Sequence, residues 1–172
     1  MTEINYLTIG SESAPIKVES FINLACPYCK NFFFAADTVL KPFIDQGKVQ
    51  HTIKHFDKTK QGLLKGTIAN IYLNYQRPEE TLDIIRELYQ TQAQWKVSFS
   101  TIEAKMEEEY NLTPHKEADD RSLAIHEEAF ERGIKGIPTV FINGNLFEFN
   151  PLEDQQETIE SKLTKQLNHF IW

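Results

Sequence analysis

Cysteine is scarce in this chain. There are two among 172 residues, Cys26 and Cys29. The scarcity excludes a disulfide framework, and a bridge between positions this close would restrain the unfolded chain very little. None is needed, since a chain of this size buries roughly 70% of its unfolded surface without a staple. Zinc is disfavoured as well, because it takes about four ligands. There is no second CxxC, and His51 and His55, four apart in a predicted strand, share a face without reading as a metal pair. Long apolar runs are also missing. No stretch approaches the roughly 18 residues of a membrane span, so no membrane partner is expected. Met1-Thr2-Glu3-Ile4-Asn5 lacks the basic start and apolar core of a signal peptide, which sets the expected location as cytoplasmic. Positive charge is in deficit: 18 Lys and Arg against 25 Asp and Glu give a net charge of −7. That balance argues against nucleic acid as a partner. Much of the excess lies between Glu103 and Arg132, as in Glu107-Glu108-Glu109 and Asp119-Asp120, and is expected on solvated helix faces.

What is present is concentrated around Cys26-Pro27-Tyr28-Cys29. With no metal for the pair to serve, reversible redox exchange is the leading reading. Upstream, Ile16-Lys17-Val18-Glu19-Ser20-Phe21-Ile22 alternates and is rich in β-formers, so a strand enters the motif. Downstream, Cys29, Phe32, Phe33, Ala36, Leu40 and Phe43 recur at three- and four-residue spacing, one apolar face of a helix. Pro27 suits the first helical turn, where no backbone donor is needed. Cys26 is therefore expected at the positive end of a helix dipole, exposed and acidified. Cys29 is expected one turn in, on the buried face. The division of labour follows: Cys26 attacks or leaves, and Cys29 resolves the mixed disulfide.

The remaining pattern predicts a first strand over 4–9, a helix over 27–46 kinked or broken at Pro42, and a strand over 49–56. Four helical segments follow: 63–75, one opening at Pro78, one capped by Ser100 with Glu103, and 116–132. Strands 139–142 and 146–149 flank Asn143-Gly144, a strong hairpin signal, and a helix closes the chain over 152–169. Of the three consecutive phenylalanines, two should pack on the sheet while Phe34 meets the helices beyond it. His51, His55, His115, His126 and His169 are expected at the surface or with satisfied partners rather than as ligands. Gly62-Leu63-Leu64-Lys65-Gly66-Thr67 has neither the spacing nor the preceding strand of a phosphate loop.

Three features together resemble the thioredoxin-fold oxidoreductases, and within them the DsbA-like branch. They are the strand 14–21 leading to the Cys-Pro-Tyr-Cys motif, the segment Gly136-Ile137-Pro138-Thr139-Val140-Phe141-Ile142-Asn143-Gly144, and about 75 helix-rich residues between them. The resemblance implies an α/β thioredoxin-like fold with a central mixed β-sheet. Its thioredoxin-like part would be discontinuous, residues 1–60 and 133–172, with a helical insert at 61–132. It implies catalytic Cys26 and Cys29, and substrate binding by Pro27, Tyr28, Ile137 and Pro138. The Ile137–Pro138 bond is expected to be cis and to lie against Cys26. The implied partners are protein or peptide disulfides or dithiols, together with a redox recycling partner, and no cofactor or metal is expected.

One position departs from the family pattern. An acidic residue commonly lies six positions before the first cysteine, and here that residue is Ser20. Glu19 is adjacent, but alternation along a strand turns it to the other face. Water or the motif itself would then take the proton of the resolving thiol. Two other readings accompany the leading one. A glutaredoxin-like low-molecular-weight-thiol transferase would share the Cys-Pro-Tyr-Cys motif, although no basic pocket is readable. A non-enzymatic adaptor would have no use for an intact dithiol.

Overall fold

The computed structural model describes residues 4–60 and 62–170. Its centre is a five-stranded mixed sheet in the order β1-β3-β2-β4-β5. The strands are β1 (Leu7–Ile9), β2 (Ile16–Ile22), β3 (Val49–His55), β4 (Thr139–Ile142) and β5 (Asn145–Leu146). β2 and β3 run parallel, from Ile16 opposite Val49 to Ile22 opposite His55. Such a pair needs a long crossover, and α1 (Pro27–Asp45) supplies it. β4 lies antiparallel on the other side of β2, with Thr139 opposite Phe21. The β4–β5 turn places Asn143 at φ 48 and Gly144 at φ 79. That left-handed pair is what an Asn-Gly hairpin turn requires.

Strand alternation divides the core. Ile16, Val18 and Ile22 of β2 join one apolar cluster with Cys29, Phe32, Phe33, Ala36 and Leu40 of α1. Ile159, Leu163 and Leu167 of α7 (Gln156–Asn168) complete this side. Phe21 points to the opposite face, against Ile125 and Ala129 of α6 (Ala118–Glu131). Each fully buried Phe, Leu or Ile stabilises the fold by roughly 1.5–3 kcal/mol, so both faces of β2 are anchored.

Between β3 and α6 lie α2 (Leu64–Tyr72), α3 (Pro78–Gln90), α4 (Gln92–Trp95), α5 (Phe99–Ala104) and one π turn (Lys105–Glu109). Their buried residues Tyr72, Leu82, Ile85, Leu88, Tyr89, Trp95, Ile102 and Met106 belong to the same cluster as α1 and the thiols. Phe33 stacks on Tyr89, and Phe34 meets the same ring edge-on.

The elements differ from the sequence pattern mainly at their ends. β1 starts at Leu7 rather than residue 4, and β5 spans two residues rather than four. α1 runs through Pro42 to Asp45 without a break, because the proline falls close to its end. The cap of α5 is Ser98, whose hydroxyl accepts from Thr101 N–H at 3.1 Å, not Ser100. Two serines two positions apart offer the same capping signal. α7 starts at Gln156, after a turn, rather than at 152.

Candidate active site

α1 begins where β2 ends, and its first turn carries the dithiol. Cys26 is the N-cap, in extended conformation at φ −83 and ψ 119, and Pro27 occupies the first turn. This geometry brings Cys26 Sγ within 3.4 Å of the Cys29 backbone N–H, from which it accepts a hydrogen bond. The sulfur thus satisfies a helix N-terminal donor that has no partner within the helix. Cys29 lies one turn on and is fully buried; its Sγ accepts from Asn23 N–H at 3.5 Å. Both cysteines are free thiols. Tyr28 and Pro27, between them, are exposed.

The two sulfurs are electrostatically unlike. The Cys26 pKa falls from 9.0 to about 7. The main cause is hydrogen bonding from the Cys29 side chain, opposed by burial and aided by the Cys29 and Tyr28 backbone N–H groups and the charge of Lys96. Cys29 moves well above 9.0, first because it is buried and then because Cys26 is beside it. At neutral pH about half of Cys26 is thiolate, while Cys29 remains a thiol. The exposure expected of Cys26 needs correcting. It is 5% exposed against 0% for Cys29. The cause is the dense packing of the segment before it, so only a small part of Cys26 faces solvent.

That segment, Asn23–Cys26, is held by residues that the sequence did not single out. Asn23 Oδ1 accepts from Ala25 N–H at 2.9 Å, and its amide donates to the Phe56 carbonyl at 3.1 Å. The Tyr89 hydroxyl donates to the Asn23 carbonyl at 3.1 Å. Gln92 Nε2 donates to the carbonyls of Leu24 at 2.8 Å and Cys26 at 3.2 Å. α2 comes so close that a Cβ on Gly66 would lie 2.1 Å from Asn23 Oδ1 and 2.6 Å from Ala25 N, so only glycine fits. Asn23, a turn former directly after a strand, was the one readable signal. Tyr89, Gln92 and Gly66 sit on helices whose sequence spacing says nothing about their target.

Beneath the motif, Ser20 is fully buried and shares a 2.7 Å hydrogen bond with His51 Nε2. Burial lowers the His51 pKa to about 4, against a small opposing effect of Asp37, so the ring is neutral. His55 is likewise buried, its Nδ1 2.7 Å from the Tyr75 hydroxyl. Glu19 points to the other face, where Lys54 Nζ lies 2.9 Å and Arg132 2.8 Å from its carboxylate.

The second predicted element of the site is a loop. The Ile137–Pro138 peptide bond is cis. Because Thr139 pairs with Phe21, this loop sits at the end of the sheet from which Cys26 leaves β2. Pro138 is buried, and half-buried Ile137 packs against the cluster that contains both cysteines. Among the described residues, no group of three or more His, Cys, Asp or Glu side chains is arranged to hold a metal ion.

A fold of this order with a dithiol at the first helix defines a class, and comparison with known proteins agrees. A family model described as thioredoxin matches residues 2–161, and the chain belongs to that family. It is similar to a probable disulfide bond formation protein D of Bacillus anthracis, 26% identical over 92% of this chain and 78% of the relative. A solved protein of unknown function from Enterococcus faecalis V583 superposes with a TM-score of 0.83 at 29% identity, covering 94% of this chain and 89% of the other. The α-DsbA1 of Wolbachia pipientis shares the fold with a TM-score of 0.69 at 16% identity, covering 98% and 92%. The chain is a thiol–disulfide oxidoreductase of the thioredoxin family, with a fold that α-DsbA1 shares.

The expected cytoplasmic location is overturned by the same comparisons. One structure sharing the fold, with a TM-score of 0.68 at 17% identity over 95% of this chain and 91% of the other, is a periplasmic thioredoxin-like protein of Salmonella enterica. The curated relative is named for forming disulfide bonds, which belongs to oxidising compartments. The missing leader pattern at residues 1–5 was too slight a basis for the opposite assignment.

Proposed function

We propose that this chain forms disulfides in protein or peptide substrates. The observation that carries the proposal is the asymmetry of the pair: an acidified Cys26 capping α1 and a buried, protonated Cys29 behind it. In the oxidised chain Cys26 and Cys29 are joined. A substrate thiolate attacks the Cys26 sulfur and expels Cys29, giving a mixed disulfide. A second substrate thiolate then attacks its own bridged sulfur, forming the substrate disulfide and releasing Cys26 as a thiolate. Two electrons pass from the substrate dithiol to the Cys26–Cys29 pair, and the disulfide of a recycling partner accepts them in turn, restoring the Cys26–Cys29 bond. Stabilising the departing Cys26 thiolate favours the reduced chain, and so favours oxidation of the substrate. The name of the Bacillus relative supports this direction.

Tyr28 and Pro27 are the exposed surface between the thiols, and the Ile137-Pro138 loop borders the same sheet end. The substrate backbone lies across these four residues, and the helices of 61–132 act as an insert that caps the motif. The test is trapping. Cys29→Ser leaves Cys26 free to exchange but removes the thiol that resolves the intermediate. Incubated with a disulfide-bonded peptide, it should accumulate a covalent adduct stable to gel filtration and released by dithiothreitol. Cys26→Ser should trap none. Adducts forming equally on both variants would overturn the assignment.

A further inference from the structure

The helices between β3 and α6 grip the chain just before the reactive sulfur. Gln92 is the centre of this grip. It is 4% exposed, and its side-chain amide donates to two carbonyls at once, Leu24 at 2.8 Å and Cys26 at 3.2 Å. These two carbonyls belong to the peptide planes on either side of Ala25 and Cys26. Holding both planes fixes the backbone dihedrals between them, including the ψ of 119 that makes Cys26 the N-cap. The second plane is special because it is the Cys26–Pro27 peptide, which has an acceptor and no donor. Its carbonyl takes Lys30 N–H at 3.1 Å from within α1 and Gln92 from outside. The neighbouring contacts act on the same segment: Tyr89 on the Asn23 carbonyl and Gly66 against Asn23 and Ala25.

We propose that Gln92 is a positioning residue for thiol exchange, setting the backbone of Asn23–Cys26 so that the Cys26 sulfur faces the N–H groups of the first turn of α1. The helices beyond β3 thereby tune the reactivity of a cysteine that belongs to the sheet's own strand–helix junction. Lys96, directly after α4, adds charge to the effect, so one short helix supplies both a clamp and a cation.

The inference rests on the reading of Cys26 as the attacking thiol. Its test is the pH profile of Cys26 alkylation by iodoacetamide in the reduced chain, paired with the equilibrium of the dithiol with glutathione. Gln92→Leu removes both donors. It should slow Cys26 alkylation at pH 6 by about three- to tenfold, half to one pKa unit, and shift the glutathione equilibrium toward the disulfide by a similar factor. Gln92→Glu keeps the size and adds a carboxylate beside the thiolate, and should slow alkylation further. Trp95→Phe is the structural control. Trp95 is buried in the same helix, but its indole N–H donates to the Leu88 carbonyl at 2.7 Å, away from the motif. It should lower stability and leave both readouts in place. If Gln92→Leu does not fold, Gln92→Glu carries the same comparison. Profiles unchanged in the folded Gln92 variants, or shifted equally by Trp95→Phe, would overturn the inference alone. Faster alkylation of Cys29 than of Cys26 in the unaltered chain would instead overturn the reading on which it rests.

Discussion

Glu19 and Ser20 are adjacent on β2, and they meet opposite worlds. Ser20 faces α1, fully buried, with neutral His51 as its partner. Glu19 faces α6, in a four-residue ionic network with Lys54, Glu128 and Arg132. Burial alone would raise the Glu19 pKa, but hydrogen bonds from Arg132 and Lys54 outweigh it and the net shift is downward. The same strand thus presents a neutral face to the thiols and a charged face to a structural helix. A one-residue offset decides which face a carboxylate serves, because strand side chains alternate. The lesson is that charge is not missing from this part of the molecule. It is aimed at holding α6 to the sheet, and the thiol side is tuned by the neighbouring Cys29 thiol, burial, backbone donors and one lysine instead.

The charged face should show the largest effect. Lys54→Met leaves Glu19 and Glu128 without their shared ammonium in a largely buried site, and should cost about 3 kcal/mol in urea unfolding. Because this network lies across the sheet, the alkylation profile of Cys26 should not move. A shifted profile would erase the distinction between the two faces.

Next comes the thiol itself. The folded Cys26 pKa, about 7, is depressed from 9.0. Its stabilisation is therefore fully present above pH 9 and is lost as pH falls through 7. Relative to Cys26→Ala, which retains Cys29, the reduced chain should gain on the order of 2 kcal/mol between those limits. A flat difference across this window would mean that Cys26 is an ordinary thiol.

The neutral face gives the smallest change. Ser20→Ala strands a buried ring nitrogen of His51 and should cost about 1 kcal/mol. A double-mutant cycle with His51→Phe should recover most of that loss, since the second change removes the orphaned group. Additive losses would show that the Ser20–His51 bond contributes nothing.

Legibility followed the range of the interactions. The strand into Cys26, the apolar face of α1 and the Asn143-Gly144 hairpin were readable because each is a local pattern with a fixed period or turn chemistry. The opposite aim of Glu19 followed from alternation alone. The grip of Gln92, Tyr89 and Gly66 was not readable, since these residues lie at least 40 positions from Cys26 and their roles exist only once the helices pack. The same holds for His51 as the partner of Ser20, which depends on the parallel pairing of β2 with β3. The near-complete burial of Cys26 was missed for this reason too, because helix-end geometry specifies the donors but not the packing around them.

The asymmetry of the two thiols is tested most directly by site-resolved alkylation of the reduced chain across pH, with each cysteine followed separately by peptide mass spectrometry. Cys26 modification should rise with a midpoint near pH 7 while Cys29 stays unmodified throughout that range. Equal rates at the two cysteines, or a Cys26 midpoint near its ordinary 9.0, would contradict it.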